Sequence, residues 1–236
     1  MTKKILLNNG SVLKKDGEVL PIIDDGLMAY YPLGENAGGT AFDETKNGYD
    51  GTIRGGVTQG VDGIVGQAYD FDGLDSYVEI SSPPDPSGAG DSDSFAVTFW
   101  LKPRSDGSEN PLIEWSTGNN YRLHIWQFQS EGSFFCNPVG GCGTFGRYNG
   151  EIKLDQWSHY GVVYDKAATQ LRFYRDGSRV YAANADCNPD TSSDTLFLGH
   201  RANDSRYFNG KMDSVRIYNR ALSPATIQTI YEKTKP

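Results

Sequence analysis

The chain has 236 residues, a formal net charge of −8 and a pI near 4.9. Its only adjacent basic pairs are Lys3-Lys4 and Lys14-Lys15, so it lacks the electrostatic footprint of a nucleic-acid binder, and no apolar run approaches the ~20 residues that cross a bilayer. With 28 glycines, 12% aromatic residues and no long helical periodicity, the composition points to many strands joined by tight turns around one large core.

Residues 1–25 alternate the apolar runs Ile5-Leu6-Leu7, Val12-Leu13 and Val19-Leu20 with the turn signals Asn9-Gly10 and Asp16-Gly17, the pattern of a small β-meander. Two or three short strands bury little alone. The segment is therefore either extra strands on the edge of the following domain or a docking or oligomerisation arm. Its longest apolar run is too short for the core of a secretory signal, which predicts synthesis in the cytoplasm and release by another route, such as inside a virus particle. Pro21 and Asp24-Asp25-Gly26 mark the joint, and residues 26–236 form the main domain.

Residues 27–33 read as the first core strand. The loop at 43–51 then sets oxygen-bearing side chains beside glycines, a composition suited to a hard cation such as Ca²⁺, which takes about 6–8 oxygen ligands. It is not an EF-hand, because position 12 counted from Asp43 is Arg54. The same residues also suit an Asx-turn loop without metal, in which Asp43 caps backbone amides. Residues 68–80 read as a hairpin turning at Asp72-Gly73-Leu74-Asp75, with Asp70, Asp72 and Asp75 as turn formers rather than acid/base groups. The polar stretch 81–94 belongs at the surface. In 95–101, Phe95, Val97, Phe99 and Leu101 alternate onto one face of a central strand.

In 121–128, Tyr121, Leu123, Ile125 and Gln127 oppose Arg122, His124, Trp126 and Phe128. The second set mixes flat rings with hydrogen-bonding groups, and the glycine-rich segment after it adds Phe145, Arg147 and Tyr148. Arg122, His124, Trp126, Phe145, Arg147 and Tyr148 are thus the candidate ligand-binding residues. Alternation does not orient the strand, and the competing reading puts Trp126 and Phe128 in the core between two sheets. Residues 157–164 and 171–175 read as a hairpin in which His159 is a hydrogen-bonded structural residue. In the last strand Met212, Ser214, Arg216 and Tyr218 alternate with Asp213, Val215, Ile217 and Asn219. A short helix follows, with Ser223 as N-cap and Pro224 at its first position. The three cysteines, Cys136, Cys142 and Cys187, permit one disulfide without selecting the pair, and their spacing lacks the paired pattern of zinc sites.

Four stretches in order, GLMAYYPLGENAGGTAFDETKNGYDGT (26–52), AYDFDGLDSYVEI (68–80), FAVTFWLKP with WSHYGVVYDKAATQLRFYRDGSRV (95–103 and 157–180) and FNGKMDSVRIYNRALS (208–223), resemble the laminin-G-like, concanavalin A-like lectin/glucanase jelly-roll family. The resemblance implies an all-β, two-sheet antiparallel jelly-roll sandwich with a short C-terminal helix. It also implies a structural Ca²⁺ held between the early loop and the closing strand by Asp43, Asn47 and Asp213, with backbone carbonyls near Gly48 and Thr52. Glycosidases occur in the family, but the Glu-x-Asp-x-x-Glu strand of its laminarinase-type members is absent. The Gln-x-His strand of its alginate-lyase-type members is absent too, since Leu123-His124-Ile125-Trp126-Gln127 has the wrong order.

The expected role is therefore non-catalytic recognition of a glycan or cell-surface polymer. The expected setting is a phage-like virion, with the chain as a fibre, tip or decoration protein whose residues 1–25 contact other virion proteins or sister copies in a homo-oligomer. The alternatives are a carbohydrate-binding module of a bacterial surface or secreted protein, and a structural virion protein with no glycan ligand. No nucleic-acid or membrane partner is expected.

Overall fold

The computed structural model describes residues 14–15, 18–19, 25–88, 94–104, 109–117, 120–128, 133–138, 146–149, 152–185, 191–192, 195–202 and 204–236. β1 (Lys14–Lys15) and β2 (Glu18–Val19) pair with each other in a separate two-stranded sheet.

The domain proper is two antiparallel sheets. The front sheet runs in the order β13 (Gly146–Asn149), β12 (Ser133–Pro138), β11 (Asn120–Phe128), β10 (Glu109–Thr117), β17 (Thr195–Leu198), β8 (Tyr77–Ser81), β5 (Gly51–Arg54) and β4 (Thr40–Ala41). The back sheet runs β16 (Ser178–Asn184), β15 (Gln170–Arg175), β14 (Ser158–Asp165), β9 (Phe95–Pro103), β18 (Asn209–Tyr218), β7 (Gln67–Asp72) and β6 (Thr58–Asp62). β3 (Leu27–Tyr31) also pairs with β18. On one side β18 is lined by β9, and on the other by β7 along its first half and β3 along its second.

Alternation explains the layers. Phe95, Val97, Phe99 and Leu101 of β9 and Tyr160, Val162 and Tyr164 of β14 meet Val78, Ile80, Ile113, Trp115, Leu123, Ile125, Leu196 and Leu198 of the front sheet in one buried cluster. Each large apolar side chain in such a layer contributes about 1.5–3 kcal/mol. The opposite side chains of the back sheet form a second, smaller core. Tyr30, Ala96, Val163, Tyr174 and Tyr218 pack there under Ile227 and Ile230 of the helix α1 (Pro224–Thr234). The helix begins where Ser223 Oγ accepts the Thr226 N–H at 3.1 Å, and its far end is fastened by Trp100 Nε1 donating to Thr234 Oγ1 at 3.0 Å.

The sandwich and the closing helix agree with the sequence reading, and two local expectations are corrected. Residues 68–80 are not a hairpin, because β7 joins the back sheet and β8 the front sheet. Asp72 Oδ1 accepts the N–H groups of Leu74, Asp75 and Ser76 and the Ser76 hydroxyl, bending the chain from one layer to the other. Tyr69 and Phe71 then face Val78 and Ile80 across the core instead of lying beside them. The strict alternation of the last strand also fails. A β-bulge lies between Asp213 and Arg216, with Ser214 at φ +55°, and it re-phases the strand. Met212, Val215 and Ile217 share the inner core, leaving Arg216 and Tyr218 on the helix side.

Candidate functional site

The residues expected to hold calcium have other partners. The side chain of Asp43 is buried, and its Oδ1 accepts the N–H groups of Tyr30 and Thr45, at 3.0 and 2.9 Å. Its Oδ2 accepts the Thr45 hydroxyl and the Tyr49 N–H, at 2.7 and 3.1 Å. Four donors thus take up the lone pairs of one carboxylate. Asn47 donates through Nδ2 to the Met28 carbonyl at 2.7 Å, so both residues brace the loop against β3.

Asp213 performs a different task. Its Oδ2 accepts the successive N–H groups of Ile64 and Val65, at 2.6 and 2.8 Å, and so holds the turn between β6 and β7. Burial raises its pKa, against the pull of those N–H groups, Ser214 and Arg216. Among the described residues, no three His, Cys, Asp or Glu side chains converge as a metal cage. A Ca²⁺ ion needs lone pairs that Asp43 has committed to N–H and O–H donors, so Asp43 as arranged does not fit that ion.

The candidate ligand residues fall on the front sheet. Leu123 and Ile125 enter the inner core, so His124 and Trp126 lie on the outer face, and the reading that buried Trp126 between the sheets does not hold. Both are nonetheless covered. His124 and Trp126 are only 3% and 5% exposed, with ring centroids 4.5 Å apart, and the guanidinium of Arg201 lies 4.3 Å above the indole. Arg122, Arg147 and Tyr148 have backbones in β11 and β13, while their side chains and the whole of Phe145 lie outside the described residues. By register, Arg147 aligns through Phe135 with Trp126, whereas Tyr148 aligns through Phe134 with Gln127, one position away.

Strand register extends this outer face across the sheet, with Thr52, Glu79, Phe197, Glu114 and His124 opposite one another in successive strands. The connection from β17 to β18 folds over the row. Its two ends meet at a bridge between His200 and Tyr207, and Ala202 N–H donates to Glu114 Oε1 at 3.0 Å, fastening it to the sheet. Asp204 braces it internally by pairing with Arg201 and Arg206, at 3.3 and 3.0 Å. Beneath it Glu114 is fully buried, and its Oε2 is 3.6 Å from His124 Nδ1.

Beside this covered patch is a partly exposed one. Tyr77 of β8 lies 4.6 Å from His200, which stacks on Tyr207 at 4.6 Å and 11°, and Phe197 meets Tyr77 and His200 edge-on at 5.9 and 5.2 Å. Arg54 pairs with Glu79 at 2.9 Å on the neighbouring strands. The result is an aromatic platform bordered by charged and hydrogen-bonding groups, the chemistry of a shallow recognition surface. Burial lowers the pKa of His200, so the ring is neutral near pH 7.

The sequence reading missed Tyr77, Phe197, His200 and Tyr207. A signal was present for two of them. Tyr77 and Phe197 alternate with Val78 and with Leu196 and Leu198, so core assignment of those neighbours turns both aromatics outward. The return of His200 and Tyr207 depends on the path of the 199–207 connection, which local periodicity does not encode.

Comparison with known proteins agrees with this architecture. Among curated proteins none matches the chain in sequence. Among solved structures, domain 4 of AbnA, a GH43 extracellular arabinanase from Geobacillus stearothermophilus solved in complex with arabinotriose, is similar at a TM-score of 0.67 and 20% identity. That match covers 87% of this chain and 98% of the domain. The binding domain of botulinum neurotoxin DC, solved in complex with SialylT, is similar at a TM-score of 0.67 and 13% identity, over 90% of this chain and 52% of that one. The chain therefore spans about half the length of the toxin domain. At these identities the likeness is one of fold. A sequence profile described as the concanavalin A-like lectin/glucanases superfamily matches residues 71–228, most of the domain, and the chain belongs to that superfamily.

Proposed function

We propose that this chain is a non-catalytic domain that recognises a glycan or cell-surface polymer on the outer face of its front sheet. The observation that carries the reading is the partly exposed platform of Tyr77, Phe197, His200 and Tyr207 beside the Arg54–Glu79 pair. Ring faces stack on the apolar faces of sugars, while the flanking groups hydrogen-bond to hydroxyls. The arabinotriose complex of the AbnA domain supports a saccharide as the ligand class.

The carboxylates of this face argue against retaining glycoside hydrolysis. Glu79 and Glu114 lie two strands apart, roughly 10 Å at the backbone, with Phe197 between them. A retaining pair stands about 5–5.5 Å apart. Glu79 is also neutralised by Arg54, and Glu114 is fixed by the Ala202 N–H.

We further propose that the domain is displayed on a phage-like virion as a fibre, tip or decoration protein, with residues 1–25 as the attachment arm. The pairing of β1 with β2, apart from both main sheets, supports an arm over an edge extension of the sandwich. A carbohydrate-binding module of a secreted bacterial protein is the second reading, favoured by the nearly complete coverage of the AbnA domain.

The test is a glycan-array screen of the full chain, followed by titration of any hit against Tyr207→Ala and Tyr77→Ala. Each is expected to weaken binding about tenfold, the ~1.4 kcal/mol equivalent of one lost ring contact. Glycan binding that is unchanged in both variants would move the site elsewhere, and a blank array would remove the glycan.

A further inference from the structure

The outer face of the back sheet, under α1, buries an unusual set of polar atoms. Thr98 Oγ1, both ring nitrogens of His159, the Tyr174 hydroxyl, Asp213 Oδ1 and Nε and Nη2 of Arg216 have no hydrogen-bond partner among the described residues. All five side chains are at most 1% exposed. Register places them together. Arg216, Thr98, Gly161 and Tyr174 occupy one row across β18, β9, β14 and β15, while Asp213, Trp100 and His159 form a second row beside it.

At the centre of the first row, Gly161 contributes no side chain. A Cβ there would meet Ile227 Cδ1 of α1 at 3.3 Å, so the helix covers Gly161, and Tyr231 lies over Trp100 and His159 with ring centroids 5.7 and 6.1 Å away.

Native proteins satisfy buried polar atoms, because each unpaired one carries its full desolvation cost. The atoms themselves specify the partner. Arg216 can only donate and an ionised Asp213 can only accept, while neutral His159 and the two hydroxyls do both. Arg216 lies within electrostatic reach of Asp213, whose pKa is raised by burial against the pull of that guanidinium. An anion would face the lone pairs of Asp213, and a cation the guanidinium of Arg216. A small neutral molecule that donates and accepts meets every requirement, and full burial limits it to the smallest.

We propose that the space between these two rows and α1 is a binding site for a cluster of ordered water molecules, which bridge Arg216 and Asp213 to His159, Thr98 and Tyr174. The cluster completes the polar half of the joint between helix and sheet, and Ile227 and Ile230 supply the apolar half. The bulge at Ser214 sets the phase that places Arg216 in this space rather than in the inner core.

A high-resolution crystal structure of the full chain tests the site directly, with a second crystal soaked in bromide. Expected are full-occupancy water peaks within hydrogen-bond distance of Arg216, Asp213 and His159, no anomalous bromide signal, and loss of the peak nearest residue 98 in Thr98→Val. Direct side-chain contacts filling the space would overturn the proposal, as would a bromide peak at Arg216. In solution, labelled wild-type protein should show magnetisation exchange between water and the His159 ring protons, and its absence would count equally against the site.

Discussion

His159 shows how one buried residue sets the response of the molecule to acid. Burial, and after it the positive charge of Arg216, brings its imidazole down to about 3. The unfolded chain takes up that proton near pH 6.5, whereas the folded chain refuses it until far lower. Between those values the unfolded state binds more protons, so stability is fully present above about pH 6.5 and falls as the pH drops, by up to about 1.4 kcal/mol per pH unit. His200, lowered by burial, acts in the same direction. Asp213, raised by burial, acts in the opposite one, and Asp72 enters only below about pH 4. At Asp72, burial opposes ionisation but is outweighed by the hydrogen bonds from Leu74, Ser76 and Asp75, which hold it at about 2. Urea unfolding between pH 6.5 and 4 should therefore show a steeper loss of stability in wild type than in His159→Phe, by about one proton. Equal slopes would mean that His159 is protonated in the folded chain.

At the scale of the element, the loop at residues 42–50 is organised by one carboxylate whose four acceptor positions are filled from within the chain. Asp43→Ala leaves the buried N–H of Tyr30 without its partner and should cost about 2–3 kcal/mol in chemical denaturation. The melting midpoint should be the same in calcium as in EDTA. A fall of several degrees on chelation, absent in Asp43→Ala, would show that an ion displaces those donors. The same loop marks where sequence reading succeeds and where it stops. Asp43 and Asp72 were legible as organisers of local turns through the amides of Thr45 and Leu74, two residues on, whereas the Tyr30 amide that Asp43 also accepts was not. The layer reached after Asp72 was not legible, since a tight turn between two alternating strands reads alike whether the second strand pairs with the first or crosses the core. The bulge at Ser214 was hidden for a related reason. It arises where β18 exchanges β7 for β3 as its neighbour, an event of pairing between distant segments.

At the scale of the whole molecule, the sandwich was legible because inner-face residues such as Phe95, Val97 and Phe99 obey alternation over long strands, and four family stretches recur in order. The aromatic platform was only half legible, because it needs a 199–207 connection that brings His200 and Tyr207 back beside Tyr77. The arm poses the remaining question of assembly. β1 and β2 are two residues each and pair only with one another among the described strands, and a two-stranded ribbon of that size is not stable alone in water. It needs a surface to pack on, which the proposed arm would find on a sister copy or a larger particle. If the arm joins sister copies, light scattering of the intact chain should give a multiple of its 26.0 kDa mass, and removal of residues 1–25 should give the monomer with an unchanged melting midpoint. An intact chain already monomeric would exclude self-assembly through the arm, and a truncated chain that melts early would make the segment part of the sandwich.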